Sequence, residues 1–373
     1  MMRITEAAGL SRYFCTHDAI IFCLRSSTHI ELRRSLYITA LQGHRTGHKM
    51  AKTSFINEDK VRGMLWGVAL GDALGAPHEF RVVSISNYTG VLEYPYTRLS
   101  RWQGRRVGVA GQITDDTEMM ICLARSIINN DSYNRNDTLA MYMEWANTAP
   151  SMGVNTRRLL QGVKTLKGYN ARTRKHEDAM NYSQSNGCLM RCAPLVVRSL
   201  EDAVSDCRLT NPHEVCVESC KAYHYMTKSA MAGNSAAKII ADLMKQVASP
   251  TVKDTLISTT RNVKLNSGWV LNGLWCAAHA IRGIEKPDAT FSTVMDSIIR
   301  LEGDTDTNGA IAGGLLGARL GYTKMIEDKK TSANIEVIRN ADYSKGNLNR
   351  PSYYHPNQLD KMATSLYRLS LVD

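Results

Sequence analysis

Two short stretches combine carboxylates and hydroxyls where a loop enters a helix. In GQITDDTEMM (Gly111–Met120), Asp115 and Asp116 stand side by side between Thr114 and Thr117. In EGDTDTNG (Glu302–Gly309), Asp304 and Asp306 alternate with Thr305 and Thr307. One acid in a first helical turn complements the helix dipole, and Thr114 is a good N-cap, but two adjacent carboxylates repel. Several carboxylates buried together cannot all stay ionised without cations, because desolvation and mutual repulsion oppose it. A set of carboxylate and hydroxyl oxygens suits hard divalent ions, Mg²⁺ or Mn²⁺, rather than zinc. If the two clusters meet in space they make a two-metal site. The second cluster opens like an EF-hand loop, but the twelfth position, which needs a bidentate Glu, is Leu315.

A third piece is GVALGDALGAPHEF (Gly67–Phe80). Asp72 reads as a structural group near a helix end. Glu79, beyond Pro77, is either a metal ligand or a solvated turn residue.

The elements that must position these groups are helical. Gly63, Gly67, Gly71 and Gly75 recur every four residues and form a stripe along one helix side, which implies close approach of another backbone. A second small-residue run, AIAGGLLGARLG, follows the Asp304 cluster. Apolar periodicity predicts further helices over 117–129, 138–147, 156–166, 214–226, 228–247, 268–283 and 290–301. The segment 167–187 reads as a polar, basic loop, and no sheet is expected. The fold class expected is therefore all-α, with one domain from residue 57 to the end. Residues 1–56 read as a poorly structured or spurious extension. They lack a convincing period up to residue 49, and the clear pattern starts only after Met50.

The net charge of +11 suggests an acidic partner such as a phosphate-bearing ligand. Dedicated nucleic-acid binding is not expected, because the basic residues are dispersed and aromatics make up only 7%. No apolar run approaches the roughly 20 residues that span a bilayer. The odd count of nine cysteines, without a CxxC pair, favours a reducing compartment, and a cytoplasmic monomer is expected. Cys188/Cys192 and Cys216/Cys220 are four apart, unlike a tight zinc knuckle, and read as buried small hydrophobes.

Four blocks in order, GVALGDALGAPHEF, GQITDDTEM, SNGCLMRCAPL and GDTDTNGAIAGGLLGARLG, resemble the signatures of the ADP-ribosylglycohydrolase family, of the dinitrogenase reductase-activating type. The resemblance spans roughly residues 57–322. It implies a compact orthogonal helical bundle holding two Mg²⁺ or Mn²⁺ ions, and hydrolysis of the bond between ADP-ribose and an acceptor in modified protein. Arginine is the first acceptor to consider. Serine, O-acetyl-ADP-ribose or nucleic-acid conjugates, and a silent ADP-ribose binder, are the alternatives.

Matched by motif, the metal ligands would be Glu79, Thr114, Asp115, Asp116, Asp304, Asp306 and Thr307. The proton-transfer base would be Glu79, Asp115 or Asp304. Substrate would be held by Ser183, Ser185, Asn186 and Gly187, where small residues let the backbone approach a diphosphate. His224 and the loop APSMGVNTR, with Ser151 and Gly153, would add contacts, while Met190 and Arg191 would shape the loop. Ser151 stands where arginine-directed relatives often carry an aspartate. Glu302 departs from a usual Gly and would charge the cleft rim or face solvent.

Overall fold

Asn57 starts the first helix: its side chain accepts the Lys60 amide at 2.9 Å, and Glu58 and Asp59 fill the first turn of α1 (Glu58–Gly75). The computed structural model describes residues 55–81, 85, 88–100, 104–345 and 350–372. The extension expected over residues 1–56 thus lies outside the described residues up to position 54. After α1 come the antiparallel strands β1 (Tyr96–Ser100) and β2 (Gly104–Gly108), then α2 (Asp115–Asn130), α3 (Arg135–Thr148), α4 (Val154–Leu160), α5 (Leu166–Lys175) and α6 (Glu177–Tyr182). The chain continues through α7 (Leu200–Cys207), α8 (Glu214–Met231), α9 (Ala236–Gln246), α10 (Pro250–Ile257), α11 (Val270–Gly283) and α12 (Phe291–Ile299). It ends with α13 (Thr305–Leu320), α14 (Tyr322–Glu327), α15 (Lys329–Asn340) and α16 (Leu359–Leu369).

The all-α class is as expected, with four local corrections. The β1/β2 hairpin, with Tyr96 opposite Gly108, is a sheet where none was expected. The helix expected over 156–166 stops at Leu160, because Gly162 takes φ +77°. The segment expected as a loop over 167–187 then carries α5 and α6, and Thr165 starts α5 by accepting the Gly168 amide at 3.1 Å. Their apolar signal is thin, since Tyr169 and Met180 are the buried residues of the two helices. The run expected over 228–247 breaks at Gly233, φ +81°, before Ser235 caps α9.

The glycine stripe of α1 meets its partner in α13. A Cβ added at Gly63, Gly67, Gly71 or Gly75 would lie 2.4, 2.1, 2.0 or 2.2 Å from the carbonyl oxygen of Gly317, Gly313, Gly309 or Thr305 respectively. The two helices therefore run antiparallel with their backbones in contact, and the Thr305 hydroxyl donates to the Gly75 carbonyl at 2.8 Å. Burial of Trp66, Trp145 and Trp275 dominates the core around this pair. No helix among the described residues is long and apolar enough to cross a membrane.

The last fifty residues dock against this core. Trp66 Nε1 donates to Asp360 at 2.8 Å, and Arg350 makes a two-pronged pair with the buried Glu118 of α2 at 2.7 and 2.9 Å. Trp145 Nε1 donates to the same carboxylate at 2.7 Å.

Candidate active site

Because α1 and α13 are antiparallel, the end of α1 lies beside the start of α13, and this brings Glu79 to Asp304 and Asp306. One oxygen from each of the three carboxylates lies within 4.8 Å of the other two. The two loops are tied by the Phe80 amide, which donates to the Gly303 carbonyl at 2.8 Å. Phe80 holds φ +49°, a strained position for a bulky residue, and its ring borders the cavity described below. Glu302 does not simply face solvent: it accepts the Ile85 amide at 3.0 Å and pairs with Lys264 at 2.7 Å, so it pins the segment that follows Glu79.

The start of α2 is capped from another helix. Thr114 occupies the N-cap position, but its hydroxyl makes no capping bond. Asp72 of α1 does that work instead, accepting the amides of Thr114 at 2.9 Å and Thr117 at 3.1 Å, with their hydroxyls at 2.8 and 2.5 Å. Asp72 is structural, as expected, but for the neighbouring helix rather than its own. The Thr114 hydroxyl also lies 2.9 Å from an Asp116 oxygen.

These contacts collect acids in one dry region. Burial, and then the charges of Asp306 and Asp72, push Asp115 up to about 7. Burial also takes Asp72 to about 7, against the hydrogen bonds from Thr117 and Thr114 that pull it down. Burial followed by the surrounding aspartates holds Asp116 and Asp304 well above the usual carboxylate range. Oδ1 of Asp116 is buried and has no hydrogen-bond partner. An orphaned carboxylate oxygen among mutually repelling acids is what a hard divalent cation satisfies, and the donors present are all oxygens. The residues fit such ions.

A cavity of about 710 Å³ opens on this cluster, and Glu79, Asp115, Asp304, Asp306 and Thr307 line it. Ser151, Gly153, Ser183, Ser185, Asn186 and Gly187 line it as well, so most of the sequence-expected substrate residues meet the acids there. The Asn186 side chain donates to Asp304 at 2.7 Å and so braces the acidic cluster besides bordering the cavity. The loop is held by Val270 donating to the Gln184 carbonyl and Asn186 to the Gly268 carbonyl, both at 2.9 Å. Arg191 supports it from below, fully buried, with its guanidinium on Asp206 at 3.0 Å and on the Gly187 carbonyl at 2.9 Å.

Thr114 and Asp116 do not line the cavity, although the charges of Asp115, Asp304 and Asp306 act on Asp116. His224 is not brought to it either. The ring is buried in α8 with Nε2 3.2 Å from the Arg198 carbonyl, and burial, then the charge of Lys228, lower it to about 4. A histidine kept neutral in the fold but free to protonate when unfolded costs stability as pH falls from its usual 6.5 towards 4. His224→Gln should therefore flatten the acid limb of a stability–pH curve, by up to roughly 3 kcal/mol near pH 4. Urea denaturation across pH 4–7 measures it, and an unchanged acid limb would refute the assignment.

Reading by motif missed Arg157, Arg158 and Gly268, all of which border the cavity. The net positive charge was the available signal for the arginines. Gly268 had none beyond its turn-forming neighbours, and it holds φ +87°.

The ADP-ribosylglycohydrolase profile matches residues 54–339. The chain belongs to the ADP-ribosylglycohydrolase family. It is a hydrolase of that family. The ADP-ribosyl-[dinitrogen reductase] glycohydrolase of Rhodospirillum rubrum is 24% identical over 294 residues, 75% of this chain and 92% of the relative. ADP-ribosylarginine hydrolase Tri1 of Pseudomonas putida is also 24% identical, over 72% of each chain. A solved structure titled "ADP-ribosylglycohydrolase-related protein complex" shares the fold at TM-score 0.61 and 22% identity, over 84% of this chain and 98% of that one.

Proposed function

We propose that this ADP-ribosylglycohydrolase releases ADP-ribose from mono-ADP-ribosylated protein. It would hold two Mg²⁺ ions, with Mn²⁺ the other candidate, on Glu79, Thr114, Asp115, Asp116, Asp304, Asp306 and Thr307. The observation that carries this reading is the crowd of buried acids, one oxygen of Asp116 orphaned, beside a cavity whose 710 Å³ lies within the roughly 300–1,000 Å³ of small-molecule sites. When bound, the ions supply Lewis acidity towards the ribose hydroxyls and water.

The chain's own residues do the rest. Glu79, half-buried at the cavity edge, accepts the proton of the attacking water, with Asp304 and Asp306 beside it and Asp115 also lining the cavity. Asn186 keeps Asp304 in place. The Ser183–Gly187 loop borders the diphosphate, and Arg157 and Arg158 balance its charge.

Arginine is the preferred acceptor, since the Pseudomonas putida relative is named for it. One observation favours a neutral acceptor such as serine. Among the described residues, the acids that line the cavity are Glu79, Asp115, Asp304 and Asp306, all within the cluster, and Glu118, which borders a small cavity beside Ser151, is already paired with Arg350. We place the enzyme in the cytoplasm as a monomer, in keeping with seven free, buried cysteines among the described residues.

The deciding experiment is release of free ADP-ribose from arginine-modified and serine-modified peptides with Mg²⁺, Mn²⁺ or chelator. Metal-dependent release from the arginine peptide is the expected result. Release from the serine peptide alone would reassign the acceptor. Release from neither, by folded protein that still binds ADP-ribose, would overturn hydrolysis of protein conjugates.

A further inference from the structure

We propose that Cys188, Cys207 and Cys220 form a second metal site, a buried thiolate site for one Zn²⁺ behind the substrate loop. The three residues come from separate elements: the turn within the Ser183–Arg191 loop, the end of α7 and the middle of α8. Their Sγ atoms nevertheless converge to within 4.8 Å of one another, and the residues are 0–1% exposed. Tetrahedral zinc with bonds of about 2.3 Å puts sulfurs roughly 3.8 Å apart, so the trio needs only a small contraction. Cys216, one turn before Cys220 on α8, places its sulfur 3.6 Å from the Ser183 carbonyl and 3.7 Å from that of Ser185 and also contacts Cys188, so it can serve as a fourth donor.

Small buried hydrophobes need no such convergence, since any apolar group fills the space. Thiols that converge from three separate elements, shielded from solvent, are a start for soft-metal ligation, in which they lose their protons to the ion. Thiolates select zinc or Cu⁺ and not the hard ions suited to the acidic cluster, so the two sites do not compete. Zinc there would cross-link the substrate loop to α7 and α8.

The test needs no activity measurement. The full chain, produced with zinc in the medium and purified in Mg²⁺ buffer, is analysed for bound metals by mass spectrometry. About one zinc per chain is expected, falling at least roughly tenfold in Cys207→Ala and Cys220→Ala and unchanged in Cys276→Ala. Should the first two variants fail to fold, the parent answers alone: incubation of the metal-free, reduced protein with Co²⁺ is expected to give sulfur-to-cobalt absorption in the near ultraviolet. Zinc below about a tenth of an equivalent together with no cobalt band would overturn the site. So would copper in place of zinc, or zinc retained in full by folded Cys207→Ala and Cys220→Ala.

Discussion

Asp304→Asn is expected to lower turnover by roughly 10²–10⁴-fold while leaving the metal-free fold at least as stable as the parent. Asp304 is 5% exposed, and its carboxylate is disfavoured by burial and by the charge of Asp306. An asparagine keeps the shape and can still accept from the Asn186 side chain, now 2.7 Å away, so little packing is lost. Removing one of several repelling charges relieves the metal-free protein. It also weakens cation binding, and a cation that binds only the folded state stabilises it by mass action. Two readouts must therefore move together in the variant: turnover falls, and the rise in Tm on adding Mg²⁺ shrinks. Full turnover in Asp304→Asn would sink the two-metal reading, and lost turnover with an unchanged Mg²⁺-induced rise would place Asp304 outside the metal site.

The second large effect is structural. Gly67→Ala puts a methyl group 2.1 Å from the Gly313 carbonyl oxygen, where backbone rather than a flexible side chain must yield. Separating α1 from α13 should cost about 3 kcal/mol or more. At roughly 2–4 °C per kcal/mol for a chain of this order, Tm should fall by roughly 6–12 °C. Gly153→Ala is the contrast, since a Cβ there meets nothing within 4 Å, and its stability should stay within about 0.5 kcal/mol of the parent. Scanning calorimetry of the two variants separates a contact effect from a general intolerance of lost glycine. Equal Tm values would mean that the stripe is not a backbone contact. Because the same contact sets Glu79 beside Asp304, folded Gly67→Ala protein should also lose activity.

Much of this was legible before any tertiary structure. The four-residue glycine spacing and the paired acids at two loop-to-helix junctions are local patterns, and local patterns survive in sequence because they act through neighbours in the chain. They sufficed for the all-α class and for a set of oxygen donors. Where the local signal was weak, as in α5 and α6 with one buried side chain each, the helices went unread.

The other half was decided by packing between distant segments. The glycine spacing called for a partner backbone but could not say that it belonged to α13, nor that the antiparallel direction would bring Glu79 to Asp304 across more than two hundred residues. Nor does anything near Thr114 reveal that Asp72 of α1 caps α2 and takes the Thr114 hydroxyl as well as its amide. His224 shows the converse, because its place in the chain suggested the substrate while burial turned the ring towards Arg198. Residue types and spacing determined which chemistry the chain can assemble. Only the close approach of α1 and α13, which depends on the shape of two surfaces remote in sequence, decided that it is assembled in one place.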